Sequence, residues 1–593
     1  MRISLQGRSG RAAQGASSSQ DRASRERACL ILAALSLAGL APATLPEAAL
    51  AQAAPTPPSP GAILQPRIQP PISAMGPQSA GVALPPTPQQ NLPPGLSVDV
   101  RTITITGNRL IATPVLAALL APMKGRTVTL AALDAAVGEI TRAYHARGFP
   151  LAYAYLPQQQ ITDGDIQVRV VEPRFDQVEV KGKTRLRTEV IDRTVGVAPG
   201  DVVQSAPLDR GMLLLNQTPG VHVNGELAAG SSPETTTLNL LPHDQPAIIA
   251  SLTEDNDGNA SAGAYLTALT VTANDLLGYG ESVSANGLVS QNGDFYSGGL
   301  SATSPDLWNG LRLGLYGSST FYRLGGAFTS LNQVGSASVV GGDAQYPLVL
   351  TNSTALGVRL DVYNTWLNET THSTGTYSQQ VIPMGKFSLI GSYSDRFGGF
   401  TSGAAAILAG RLDLSPATAV ANDAAGVKAA GDFWISQLQV QRQQTLPQGF
   451  ALNLTFNGQI SGQNLDSSQK IFIGGPMGVM GYPVGVIGGD QGYVMSFRLS
   501  HALTGPKSPG LLSVSLLAQT GAVWINRDPP TGVTGGRDVR ETAVGGGLDY
   551  SLKGWTFNGI VSRRIGSADP QLPRTTRYQL WFVASRSFAF LGG

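Results

Sequence analysis

The sequence holds a single cysteine, Cys29, near its start. Disulfide staples and thiolate metal sites are therefore excluded from everything downstream. Charge is scarce as well: Lys, Arg, Asp and Glu make up 13% of the chain, about half of what soluble globular proteins carry. No long apolar run follows residue 45, which excludes a bundle of membrane-spanning helices. Enzyme signatures are missing too. There is no Gly-x-Ser-x-Gly elbow, no phosphate-binding loop, no His-Glu-x-x-His helix and no Cys-x-x-Cys pair, so no motif signals hydrolytic, nucleotide or metal chemistry, while a Ser/His/Asp constellation assembled in a barrel lumen stays open. His145, His222, His243, His372 and His501 are scattered without ligand spacing, and His145 reads as a surface residue of a helix. No catalytic residue, cofactor or metal is expected. What the chain has in quantity is glycine, 71 of 593 residues.

The first 51 residues read as a secretory leader. Arg22, Arg25 and Arg27 precede the apolar run ACLILAALSLAGLA, and a small-x-small site, Ala49-Leu50-Ala51, follows. The run has 14 residues, short of the roughly 20 that span a bilayer. Beyond residue 51 basic and acidic residues nearly cancel, 35 against 36, so no nucleic-acid partner is indicated. Residues 52–96 are dense in proline and predict an extended linker without helix or sheet, with Gly61–Leu64 the one stretch able to order.

Residues 97–172 and 173–246 predict two copies of one small α+β domain. VDVRTITIT, from Val98 to Thr106, alternates as a half-buried strand does and stops at Gly107-Asn108. Thr113-Pro114 supplies a helix start. Leu130, Leu133, Val137, Ile140 and Tyr144 then share one helical face that Gly148 closes. Strands at Ala152–Leu156 and Asp165–Glu172 complete the copy. FDQVEVKGK restarts the pattern, with Gly182 falling 75 residues after Gly107 and Gly220 falling 72 after Gly148. A helix around Leu208–Leu215 and strands at Val221–Leu227 and Thr235–Leu241 follow.

Residues 247–593 carry almost no helical pattern. Short alternations recur instead, such as Leu356, Val358, Leu360 and Val362 against Gly357, Arg359, Asp361 and Tyr363. One apolar and one polar row per strand suits a wall with lipid outside and water inside. The fold class expected is mainly β: a transmembrane barrel of about 16 strands behind the two α+β domains. The C-terminal RYQLWFVASRSFAF is a strongly aromatic strand whose Phe588 and Phe590 lie near the chain end. EDNDGNASAG, Glu254 to Gly263, offers oxygen ligands but lacks the EF-hand spacing, and reads as a polar hairpin at the barrel's start.

The most concentrated turn-forming sequence is IFIGGPMGVMGYPVGVIGGDQGY, Ile471 to Tyr493, in which 10 of 23 residues are glycine or proline. Together with YHARGFPLAYAYLPQQQITDGDIQVRVVE, LDRGMLLLNQTPGVHVNGELAAG and ANDLLGYGE, it makes the chain resemble the two-partner secretion transporters, the hemolysin secretion/activation proteins. The resemblance spans residues 97–590. It implies two periplasmic POTRA domains, a 16-stranded outer-membrane barrel of a Gram-negative bacterium, and passage of an unfolded partner exoprotein to the cell surface.

In that family a loop folds back into the lumen with Val-Arg-Gly-Tyr/Phe at its tip, its arginine held by an aspartate of an Asp-x-Gly strand motif. Here Val479, Gly481, Tyr482 and Asp490 are kept, and Met480 stands in the place of the arginine. Gln519, two residues before Gly521, stands at the aspartate's position. Losing both charges avoids leaving one unpaired in a narrow site.

The resemblance further implies contact with outer-membrane lipid and recognition of the last strand, with Phe588 and Phe590, by the barrel assembly machinery. Two other uses of the architecture stay open: an assembly factor that inserts other barrels, although such proteins usually carry more than two POTRA copies, and a degenerate passive pore, to which the missing arginine lends weight. Purified protein is expected to show a sheet-dominated circular dichroism spectrum and heat-modifiable electrophoretic migration. A helix-dominated spectrum would contradict a closed barrel.

Overall fold

Alternation makes strands and helical spacing makes helices in both N-terminal repeats. The computed structural model describes residues 57–64, 81–85 and 96–590, apart from 162, 233, 506, 530–537 and 567–575. The leader expected at 1–51 lies outside the described residues. Pro60–Leu64 forms a single helical turn (α1), at the one stretch of the linker expected to order. The linker expectation needs correction further on, where Val82–Ala83 (β1) pairs in parallel with Gly225 and Glu226 of the second repeat. Proline density forbids a long ladder but not a two-residue one.

The first repeat runs Ser97–Val100 (β2), Thr102–Thr106 (β3), Thr113–Leu120 (α2), Arg126–Thr129 (β4), Leu130–His145 (α3), Tyr153–Tyr155 (β5) and Asp165–Val171 (β6). The strand expected over 98–106 is broken at Arg101, whose N–H donates to the Gly164 carbonyl at 2.8 Å. Its halves therefore join different sheets: β2 pairs with β4, and β3 lies parallel to β6. Thr113 is the first helical residue rather than a cap, and its hydroxyl accepts from Asn108 Nδ2 at 3.0 Å. Thr129 does cap α3, accepting from the Ala132 N–H at 3.2 Å. Leu133, Val137, Ile140 and Tyr144 bury against Ile166 and Val168. The Tyr144 hydroxyl donates to Glu172 at 2.7 Å, and burial with that carboxylate beside it pushes the phenol's pKa up.

The second repeat comprises Arg174–Val180 (β7), Thr188–Val195 (α4), Ser205–Asn216 (α5), Val221–Ala229 (β8) and Thr235–Asp244 (β9). Its sheet order is β1-β8-β9-β7. Helix α4 was not expected: only four of its residues, Val190, Ile191, Thr194 and Val195, are buried, amid charged neighbours.

The remaining strands close on themselves. They are Ile248–Asp255 (β10), Leu266–Asn274 (β11), Ser282–Ser290 (β12), Phe295–Thr303 (β13), Arg312–Arg323 (β14), Gln333–Leu350 (β15), Thr354–Thr371 (β16) and Thr376–Ser394 (β17). After these come Gly399–Ser415 (β18), Gly431–Thr445 (β19) and Phe450–Ser461 (β20). Ile471–Phe472 (β21) and Gly488–Gly489 (β22) form a separate small ladder. Gln491–Ala502 (β23), Leu511–Trp524 (β24), Asp538–Leu552 (β25), Trp555–Arg564 (β26) and Tyr578–Phe590 (β27) complete the wall.

Sixteen strands, β10 to β20 and β23 to β27, form the closed barrel. Leu360 and Val362 project outward, whereas Asp361 and Tyr363 are buried inside, as the alternation predicts. Strands β15 to β18 are 17–19 residues long, so they rise about 45 Å at a tilt near 40°, well beyond an apolar band of ~25 Å. A surface helix, Ala417–Ala425 (α6), joins β18 to β19.

The second repeat is fastened to one end of the barrel. Leu350 and Ala355, at the ends of β15 and β16, belong to the same buried cluster as Met212 and Leu214 of α5. Arg210 donates to Asn309 Oδ1 at 3.0 Å and to the Pro347 carbonyl at 2.9 Å. Arg193 reaches the Asp306 carbonyl at 3.1 Å, and the Arg187 guanidinium lies 4.1 Å from the centre of the Tyr279 ring. Gly220 is held at φ +82° with Asp275 packed beneath it, where a Cβ would come within 2.8 Å of the Asp275 Cβ. Burial at that junction pushes the Asp275 pKa up. Leu350→Ala should cost about 3 kcal/mol at this shared core. Limited proteolysis is expected to cut within residues 173–246 faster, while the barrel keeps its heat-modifiable migration.

Candidate functional site

The glycine-rich stretch leaves the wall after β20 and turns into the lumen before β23. The short β21–β22 ladder forms its stem, and beyond it the chain folds tightly: Val479 N–H donates to the Ile473 carbonyl at 2.6 Å and Gly475 N–H to the Tyr482 carbonyl at 3.0 Å. Two glycines are demanded by close approach. A Cβ on Gly481 would stand 2.7 Å from that of Ala543 on the wall, and one on Gly485 would stand 2.4 Å from the Ala62 carbonyl oxygen of α1.

The tip is held by its backbone. The Met480 N–H donates to Gln519 Oε1 at 2.9 Å. The Met480 carbonyl accepts from Trp581 Nε1 at 2.7 Å and from the Ser562 hydroxyl. The Met480 side chain packs against Leu517, Ile560 and Trp581. Residues 480 and 519 therefore meet, joined by a neutral amide instead of an ion pair. Val479 and Tyr482 are buried with Ile473, Val494, Val523, Val539 and Ala543. Gly521 leaves room for this packing, since a Cβ there would lie 3.3 Å from Val479 Cγ2.

Asp490 anchors the stem. Fully buried, it pairs with Lys470 Nζ at 2.9 Å and accepts from the N–H groups of Leu465 at 3.0 Å and Arg527 at 2.8 Å. Lys470 also donates to Asn526 Oδ1 at 3.0 Å, so this pair ties the hairpin to the surface loop after β24. Helix α1 wedges in beside it. Ile63 and Leu64 are buried with Tyr322, Leu367, Leu408 and Phe433, on the inner wall formed by β14 to β19, and with Leu465 of the segment after β20. Asn259, within the acidic stretch near the barrel's start, donates to the Val484 carbonyl at 3.3 Å. Among the described residues no group of three or more His, Cys, Asp or Glu is placed to hold a metal.

Sequence reasoning missed Lys470, Ser562, Trp581 and the burial of α1. Lys470 had a readable signal: a lone lysine abutting an apolar run, in a loop that returns through one carboxylate. Trp581 lay inside the aromatic terminal strand and was absorbed into that reading. Phe588 and Phe590 stack with ring centres 6.3 Å apart, on the strand that closes the barrel against β10.

Comparison with known proteins places this geometry. Residues 98–173 match the family described as POTRA domain, ShlB-type, and residues 234–536 match haemolysin secretion/activation protein ShlB/FhaC/HecB. The heme/hemopexin transporter protein HuxB of Haemophilus influenzae is 24% identical over 485 residues, covering 81% of this chain and 85% of that protein. Among solved structures, CdiB from Escherichia coli superposes with a TM-score of 0.69 at 16% identity, over 85% of this chain and 93% of that one. CdiB from Acinetobacter baumannii gives 0.60 at 14% identity, over 87% and 95%.

Met480→Arg sets an unpaired guanidinium among Leu517, Ile560 and Trp581 and is expected to cost about 3 kcal/mol. Adding Gln519→Asp supplies a carboxylate at the position that already touches residue 480, so the double variant should recover folded yield, read by heat-modifiable migration. Equal yields for the two would remove the pairing.

Proposed function

We propose a working cycle for this protein from the premise that it belongs to the haemolysin secretion/activation protein family ShlB/FhaC/HecB. It is an outer-membrane transporter of two-partner secretion, and it moves a partner exoprotein across that membrane. The N-terminal repeats lie in the periplasm, on the side where the substrate arrives. In our reading, the substrate is an unfolded hemolysin- or adhesin-like chain that the POTRA repeats capture by adding it to a sheet edge, a mode that reads backbone rather than sequence. The pairing of β1 along β8 supports this, because that edge accepts an extended segment in parallel register.

The captured chain then enters the lumen as the hairpin and α1 move aside. The observation that carries this step is the mode of attachment at the tip: neutral hydrogen bonds at Met480 and an apolar contact, each worth about 1 kcal/mol net and each exchangeable for water. The Asp490–Lys470 pair holds the stem while the tip shifts. Folding of the substrate outside supplies the direction, and no step of the cycle is catalytic. The hairpin and α1 occupy the lumen, which favours a gated conduit over a permanently open pore. The terminal strand with Phe588 and Phe590 serves recognition by the barrel assembly machinery, and the outward apolar rows face lipid.

If a large, leader-bearing protein is encoded beside its gene, coexpression of the two is expected to release that exoprotein into the medium. Retention of the exoprotein in the periplasm, with this protein folded in the outer membrane, would contradict the reading. Trp581→Phe, which removes one donor to the Met480 carbonyl, should loosen the tip by about 1 kcal/mol and raise the open probability of the purified channel in planar bilayers.

A further inference from the structure

Among the described residues the fully enclosed acids are accounted for, with one exception. Asp361 pairs with Arg359 at 2.8 Å and Asp490 with Lys470 at 2.9 Å. Asp275 and Asp306 accept from the N–H groups of Gly280 and Gly310, in turns at the POTRA end. Glu541 is 0% exposed, and neither of its carboxylate oxygens has a hydrogen-bond partner.

Its position is defined by register. On β25 the buried side chains of Val539, Glu541 and Ala543 alternate with the more exposed Arg540, Thr542 and Val544, so Glu541 faces the lumen. It pairs across the ladder with Gly521, the residue whose missing side chain admits Val479, and Ala543 beside it lies against Gly481. Hairpin residues on either side of Glu541 therefore cover it, within a cluster of Ile473, Val479, Tyr482, Val523, Val539 and Ala543. The ionisable groups on the surrounding elements are Arg564 of β26, Tyr482 of the hairpin and the Asp490–Lys470 pair of the stem. Each has a partner of its own, and none bonds Glu541.

An enclosed carboxylate without donors costs the resting state free energy, and nothing in that state uses it. The arrangement that does use it is one with the hairpin lifted. Glu541 then stands bare on the pore wall, three residues from the start of β25 at the end of the barrel away from the POTRA repeats. A lone acid on a low-dielectric wall concentrates cations, and its two oxygens accept charge-assisted bonds from lysine or arginine.

We propose that Glu541 is a concealed cation-binding site of the export path, uncovered when the hairpin lifts, at which basic side chains of the passing polypeptide pair transiently. The inference rests on the export reading, but its test needs no partner protein. Full-length protein in planar bilayers under a KCl gradient should show cation preference in its open state. Glu541→Gln should lower the K+/Cl− permeability ratio about threefold and shorten blocks caused by a lysine-rich peptide added on the POTRA side. Because Cys29 is the only native cysteine, Glu541→Cys in a Cys29→Ser background adds a unique thiol. That thiol should react with a cationic methanethiosulfonate in the open channel and be protected at rest. Unchanged selectivity and block in Glu541→Gln, or a Glu541→Cys thiol that reacts equally fast at rest and open, would overturn the proposal. Failed secretion alongside the selectivity change would count against the export reading alone.

Discussion

The ladder between the first and last barrel strands sets the terms for everything else. Lipid offers no hydrogen bonds, so every backbone N–H and C=O in the wall has to find a partner within it. Ile248 to Asp255 meet Val583 to Phe590 residue for residue, and the sheet has no edge left. Closing sixteen strands leaves a lumen too wide for wall side chains to fill, as sixteen-stranded porins show by carrying water. Only an internal stopper can fill a lumen of this size. The glycine-rich hairpin and α1 are that stopper, and the low charge content follows from a wall that turns half its residues to lipid.

The stopper is retained in two ways. At the stem, a buried ion pair fixes Asp490 and Lys470 to a surface loop, where exchange with water is difficult. At the tip, Gln519, Ser562 and Trp581 grip only the peptide of Met480. Side-chain identity at 480 then enters through packing on Leu517, Ile560 and Trp581 rather than through charge. Ionic strength acts weakly on such a contact, since screening operates on charges.

Much of this was legible from the chain alone. Period-two alternation shared with a soluble sandwich became a barrel reading only through the leader, the missing cysteine and a length of about 350 residues without domain punctuation, and glycine spacing was the basis for expecting two copies of one α+β unit. The resemblance to the two-partner secretion transporters implied that residues 480 and 519 face each other, and in the structure the Met480 N–H donates to Gln519 Oε1. What stayed hidden shares a physical cause: it depends on partners far away in sequence. Trp581 and Met480 are 101 residues apart, and no local pattern marks a tryptophan whose indole N–H points inward. The one-turn helix Pro60–Leu64 has no amphipathic period to read, and only the cavity that receives it makes it ordered. Arg101 breaks an apparently continuous strand because Gly164, much later in the chain, accepts its N–H.

The sharing of Leu350 and Ala355 with the core of the second repeat has a mechanical meaning. A domain whose interior contains part of the barrel wall cannot pivot on it without being torn open, so the barrel and the second repeat together act as a stator. The joint with the first repeat is lighter: among the described residues it has the Ser205–Gly148 backbone bond of 2.9 Å, Leu151 packed on the second repeat's core, and the exposed Arg169–Glu234 pair, the last worth at most about 1 kcal/mol. The first repeat, about 75 residues, is under no such constraint, and the seam where the second copy begins is the lighter of the two joints.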